Sequence, residues 1–159
     1  MNQSINPENT IFLASDHAGF PMKESIKSLL KQLGLNVNDL GPGNDEPANW
    51  AEYGARGAAA VAEDPQRLRA ILICGSGIGM SIVANKFPRV RAALCHDTTA
   101  AAMSRRHNNA NVLCLGGRVI GADTAEEIVR TWLSTAFDGG RHQVRLDYLS
   151  EVVESKNFR

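Results

Sequence analysis

The chain has 159 residues, of which 43% are hydrophobic and 21% charged, the balance of a globular domain with room for a real core. Its 17 basic and 17 acidic residues cancel to a net charge of zero, which argues against nucleic-acid or anionic-membrane binding through bulk electrostatics. No apolar run approaches the length of a membrane span.

Residues 1–10 are polar and lack the apolar stretch of a signal peptide, so they read as a disordered or extended tail before one domain over residues 11–159. Ile11 to Ser15 is the first predicted strand, followed by Asp16, His17, Ala18 and Gly19. From Pro21 to Leu33, Met22, Ile26, Leu29, Leu30 and Leu33 fall at helical spacing, and Gly34 stops the pattern. Leu35 to Leu40 reads as a second strand, Gly41 to Asn44 as a loop, and the alanine-rich stretch Trp50 to Glu63 as a helix. Ala70 to Cys74 is the third strand, and Met80 to Lys86 is helix-compatible. Val90 to Cys95 is the fourth strand, and Thr98 to Arg106 a helix ending in the polar cluster His107-Asn108-Asn109. Asn111 to Leu115 is the fifth strand, and Thr124 to Ala136 a helix with Ile128, Val129, Trp132 and Leu133 on its apolar face. A loop from Phe137 to His142 leads to a last helix beginning at Val144 and running to about Glu154.

Apolar strands alternating with helices predict a three-layer α/β/α, Rossmann-like fold with a five-stranded parallel sheet. Such sheets bind ligands outside the carboxyl ends of their strands. Asp16 and His17, Cys74, His96 and Asp97, and Gly116-Gly117-Arg118 all follow strands there. His96 and Asp97 also suit capping of the next helix. Three cysteines (Cys74, Cys95, Cys114) without framework spacing read as reduced thiols of a cytoplasmic protein. Cys95 and Cys114 read as core residues.

The most informative segment is Cys74-Gly75-Ser76-Gly77-Ile78-Gly79. A dinucleotide fingerprint starting at Gly75 needs glycine at position 80, a P-loop needs glycine there and lysine next, and a cysteine-phosphatase loop needs arginine there. The residues are Met80 and Ser81, so all three patterns fail. What remains is a thiol at a tight strand-to-helix turn, where unpaired backbone N–H groups and the helix dipole favour anions and the thiolate.

Four motifs in sequence carry a resemblance: Ser15 to Gly19, Cys74 to Gly79, Arg106 to Leu113, and Gly139 to Arg145. In this order they resemble the ribose-5-phosphate isomerase B and galactose-6-phosphate isomerase family from about Ile11 to the last helix. The resemblance implies aldose–ketose isomerisation of a phosphorylated sugar without metal or cofactor. It also implies a homodimer with sites shared between subunits; whether dimers pair into tetramers is open. It casts Cys74 as the base moving a proton between C1 and C2, the cysteine type, because the glutamate of other members falls at Met80. It casts Ser76 as a proton shuttle and the backbone of Gly75, Gly77, Ile78 and Gly79 as the holder of the enediolate oxygens. His107 resembles the ring-opening residue. Asp16 and His17 resemble residues lining the site, Asn108 a contact to the intermediate, and Arg118, Arg141, His142 and Arg145 the phosphate grip. These assignments suit the chemistry: a base poised near neutrality, donors aimed at an oxyanion, and paired guanidinium donors for a phosphate. Arg141 and Arg145, one turn apart, equally match an ordinary solvated face.

One segment departs from the family. Where relatives carry Asp-Tyr-Pro-x-Tyr-Ala, this chain has Asn49-Trp50-Ala51-Glu52-Tyr53-Gly54. A lost carboxylate and a bulkier indole should change which sugars fit. The resemblance implies the ribose 5-phosphate to ribulose 5-phosphate type of reaction; the departure puts that sugar in question and points to another, such as the tetrose erythrulose 4-phosphate, and a hexose phosphate is the further alternative. The competing classes are a sugar-phosphate-binding module without turnover and a subunit needing a different chain to complete its site.

Overall fold

The computed structural model describes residues 10–155; the expected tail lies outside them except for Thr10. In chain order the elements are β1 (Ile11–Ser15), α1 (Phe20–Gln32), β2 (Val37–Asp39), α2 (Trp50–Glu63), β3 (Arg69–Cys74) and α3 (Ile78–Ala84). They continue with β4 (Ala92–Leu94), α4 (Thr98–Asn108), β5 (Val112–Gly116), α5 (Ala122–Ser134) and α6 (Arg141–Tyr148), the last prolonged by a wider π-helical segment, Leu149–Glu154. All strand pairs are parallel, in the order β2-β1-β3-β5-β4.

Alternation along the strands builds the layers. Ile11, Leu13, Ile71, Ile73, Leu113 and Leu115 face one way, onto α1 (Ile26, Leu30) and α5 (Ile128, Trp132). Ala14, Leu72, Cys74, Val112 and Cys114 face the other way, onto Ala58 and Val61 of α2 and Met80 and Ala84 of α3. Both faces of the sheet are thus buried, as the continuous apolar runs require. Burial of this kind is worth roughly 1.5–3 kcal/mol per large side chain.

Several boundaries move from the sequence expectation. The flanking strands β2 and β4 shorten to three residues each, because an edge strand is paired on one side only. Helix α3 starts at Ile78 rather than Met80, since Gly77 takes a left-handed φ of 77° and turns the chain directly into it. Helix α4 runs on through His107 and Asn108 and stops at Asn109, whose φ is 45°. Arg141 and His142, expected in a loop, form the first turn of α6 after the positive-φ pair Gly139-Gly140.

A buried clasp holds the loop between β2 and α2. Lys23 is fully buried on α1. Its ammonium donates at 2.8 Å to each carboxylate oxygen of Asp39 and to the carbonyl of Pro42. The Gly41 carbonyl accepts from Ser15 N–H (3.1 Å), so this loop is tied to the carboxyl end of β1.

Candidate active site

At the carboxyl end of β3, Cys74 is 4% exposed, and its Sγ accepts the N–H of Gly77 at 3.1 Å. The thiol is therefore seated in the turn, with a backbone donor oriented to stabilise negative charge on sulfur. Ser76 Oγ accepts the N–H of Ile78 at 3.3 Å. Gly77 is needed twice over: its φ is left-handed, and a Cβ there would lie 2.5 Å from Leu94 Cδ1 and 2.9 Å from the Leu115 carbonyl carbon. Of the first N–H groups of α3, that of Ile78 is taken by Ser76 Oγ, whereas those of Gly79 and Met80 have no intrahelical acceptor.

The neighbouring strands supply the rest of this rim. Gly117 N–H donates to the Cys74 carbonyl (2.8 Å) and Arg118 N–H to the Gly75 carbonyl (3.0 Å), which sets the exposed Arg118 beside the cysteine turn. Asp16 is 5% exposed; its N–H bonds the Ile73 carbonyl at 3.1 Å, and its Oδ1 accepts Gly19 N–H at 2.9 Å. His17 contacts the backbone of Ala48 through Nδ1 at 3.3 Å, which leaves Nε2 free to meet a ligand. Ala48 leads into Asn49, whose Oδ1 caps α2 by accepting Ala51 N–H (3.0 Å). The next residue, Trp50, lays its indole on Gly79: a Cβ built there would sit 2.8 Å from the ring carbons Cδ2 and Cε3.

The remaining expected residues lie elsewhere. Helix α4 leaves the carboxyl end of β4, and its 11 residues carry the chain about 16 Å back. His107 and Asn108 are therefore at the amino end of the sheet, opposite Cys74. There Asp138 N–H donates to the Arg106 carbonyl (3.0 Å), and the Asp138 carboxylate pairs with Arg106 Nε (3.1 Å). This anchor brings α6 onto α4. The His107 and His142 rings stack with centroids 4.3 Å apart and an 11° interplanar angle. Arg141 Nε lies 3.5 Å from His142 Nε2, and Arg141 and Arg145, both exposed, follow on the same helix. His142 is buried with its Nδ1 unpartnered. Loss of water lowers its pKa first, with His107, Arg141 and Arg145 adding to the effect against Asp138. The structure thus makes two clusters at opposite ends of one sheet, and one protomer does not bring them together.

Asp138 is the residue that sequence reasoning missed; its signal was an acid directly before the Gly139-Gly140 turn. The His107, Asp138 and His142 donor atoms lie within 4.8 Å of one another. A cation fits poorly all the same: near-parallel rings point their in-plane lone pairs side by side rather than at one centre, and arginines crowd the group. The surroundings suit an anion. Burial pushes the Cys95 thiol up to about 11 and raises Cys114 further, as expected of core thiols. Among the described residues, no helix is long and apolar enough to cross a membrane.

Known proteins resemble this chain closely. Residues 11–149 match the family described as Ribose/Galactose Isomerase. Ribose-5-phosphate isomerase B of Escherichia coli (strain K12) is 40% identical over 147 residues, covering 92% of this chain and 98% of that protein. D-erythrulose-4-phosphate isomerase of Pectobacterium atrosepticum is 43% identical over 133 residues, covering 82% and 86%. The crystal structure of ribose-5-phosphate isomerase B from Mycoplasma genitalium with bound ribulose-5-phosphate has a TM-score of 0.89 at 38% identity, over 92% of this chain and 97% of that one.

Proposed function

This chain belongs to the ribose/galactose isomerase family, and from that premise we propose how its own residues interconvert the aldose and ketose forms of a phosphorylated sugar. The observation that carries the reading is the Cys74 thiol at the glycine turn, seated under the Gly77 N–H. The thiolate takes the proton from C1 of the ketose or C2 of the aldose. The electron pair moves onto the carbonyl oxygen to give an enediolate, and the thiol returns the proton to the other carbon. The backbone donors of Gly75 to Gly79 stabilise the developing oxyanion. Ser76 passes the hydroxyl proton between the two oxygens, and Asp16 and Nε2 of His17 hold the sugar hydroxyls.

His107 opens the ring of the cyclic aldose, Asn108 contacts the intermediate, and Arg141, His142, Arg145 and Arg118 bind the phosphate. Because Cys74 and His107 are at opposite ends of one protomer, the working unit is a homodimer, with the amino-end cluster of one copy meeting the carboxyl-end rim of the other. Residues 11–159 act as one domain, in the cytoplasm.

A ring-opening group also bears on the sugar. A tetrose 4-phosphate has no free hydroxyl able to close a five-membered ring, so His107 would have nothing to open. An aldopentose 5-phosphate closes through O4. The ribose 5-phosphate to ribulose 5-phosphate type of reaction therefore suits the site better than the four-carbon substrate suggested by Trp50 alone.

The test is solvent deuterium incorporation into ribulose 5-phosphate, followed by NMR, with Cys74→Ala alongside. Exchange at the carbon next to the carbonyl, lost in the variant, is the expected result. Tight phosphate-ester binding without exchange would instead make the chain a binding module.

A further inference from the structure

Residue 50 opens α2 at the point where the clasped loop meets the cysteine turn. Trp50 is 40% exposed, and the buried part of its indole lies against the backbone of Gly79, within the segment that holds the reacting oxygens. Neither side chain at this junction carries a carboxylate, the strongest acceptor for a sugar hydroxyl. Asn49 Oδ1 is already used by Ala51 N–H, and Trp50 presents a flat apolar ring whose only polar atom is a donor. A hydroxymethylene pushed against that wall meets an apolar ring face in place of water. The loop leading to the wall is held by Lys23, Asp39 and Pro42 on one side and by His17 on the other, which fixes the backbone from which Trp50 projects.

We infer that Trp50 is the specificity-determining end wall of the sugar pocket, and that it limits this enzyme to chains of five carbons. The inference rests on the isomerase reading. The phosphate grip fixes one end of the substrate and the enediolate cradle fixes C1 and C2. A sixth carbon therefore strains the seat of C1 and C2 in the cradle, and Trp50, packed on Gly79, closes the space into which that end could shift. Ring opening sets the lower bound on chain length, and the indole sets the upper one.

The experiment compares kcat/KM for ribose 5-phosphate with that for an aldohexose 6-phosphate of the same configuration at C2 and C3, in the full chain and in Trp50→Ala and Trp50→Phe. Circular dichroism confirms folding, and the phenylalanine variant keeps an aromatic cover on Gly79 should the alanine variant unfold. The expected result is a pentose preference of at least about a hundredfold in the unmodified chain, falling about tenfold in Trp50→Ala and less in Trp50→Phe. Comparable turnover of both sugars by the unmodified chain, or an unchanged ratio in folded variants, would overturn the inference. Absence of deuterium exchange with either sugar would be a different failure, that of the isomerase reading itself.

Discussion

The two ends of the sheet are built in contrasting ways. The carboxyl end is made largely of backbone: a left-handed glycine, a seated thiol, and N–H groups held by strand pairing. The amino end is made of side chains on two helix ends, with arginines exposed and histidines stacked on each other. The first suits chemistry, where donors must be in place before charge develops. The second suits capture of a flexible phosphate ester, where long guanidinium side chains close around an anion. The carboxyl end holds Arg118 alone of the residues assigned to the phosphate, and the amino end lacks a thiol, which is why the reading joins them across two copies.

The contrast can be broken most directly at Cys74. Cys74→Ala should lower kcat and deuterium exchange at least about a thousandfold while leaving the melting temperature nearly unchanged. Retained kcat and exchange in the folded variant would make Cys74 a core residue rather than a base. Next in size is the clasp behind the rim. Burial pushes the Asp39 carboxyl up, but hydrogen bonds from Lys23 and Lys27 outweigh it and hold it below the ordinary range. Asp39→Asn leaves the buried Lys23 ammonium with only Glu24 (3.1 Å) and the Pro42 carbonyl (2.8 Å) and should cost about 1–3 kcal/mol in denaturant unfolding. The folded carboxyl pKa is depressed, so the clasp's contribution is present above the ordinary carboxylate value and is lost as pH falls from there through the lower folded value.

At the other end, Arg141→Ala should raise KM about tenfold to a hundredfold with kcat little changed. An equal fall in kcat would place Arg141 in the chemical step. His107→Asn should slow conversion of cyclic ribose 5-phosphate by about a hundredfold. Exchange from ribulose 5-phosphate, which is already open, should persist in that variant; loss of both would move His107 into the proton transfer between carbons. The smallest effect is that of pH on the stacked histidines. His142 has a folded pKa below its ordinary value, so below that value the unfolded chain binds more protons and stability declines with acidification. His142→Gln should flatten this slope in thermal melts between neutrality and mildly acid pH.

The amino-acid sequence discloses the two regions unequally. The five strands and the cysteine turn were legible because apolar runs, glycines and the thiol are contiguous. Helix α2 was legible to the residue, from Trp50 to Glu63, because its alanines mark it locally. The burial of Lys23 was not legible: its partners Asp39 and Pro42 come from beyond the next strand, and a lysine after Met22 looks like any solvated helix residue. The His107–His142 stack was equally hidden, since it depends on Asp138 docking onto the end of α4. Spacing within each motif said nothing about which end of the sheet it would occupy.

The central claim is that a working site takes its base from one copy and its phosphate and ring-opening groups from another. The most direct measurement mixes Cys74→Ala protein with a His107→Ala, Arg141→Ala double variant, each inactive alone, after joint unfolding and refolding. Shared sites predict recovery of roughly a quarter of wild-type activity, because half of randomly paired dimers are hybrids and each hybrid carries one intact site. A mixture as inactive as its parents would contradict the account.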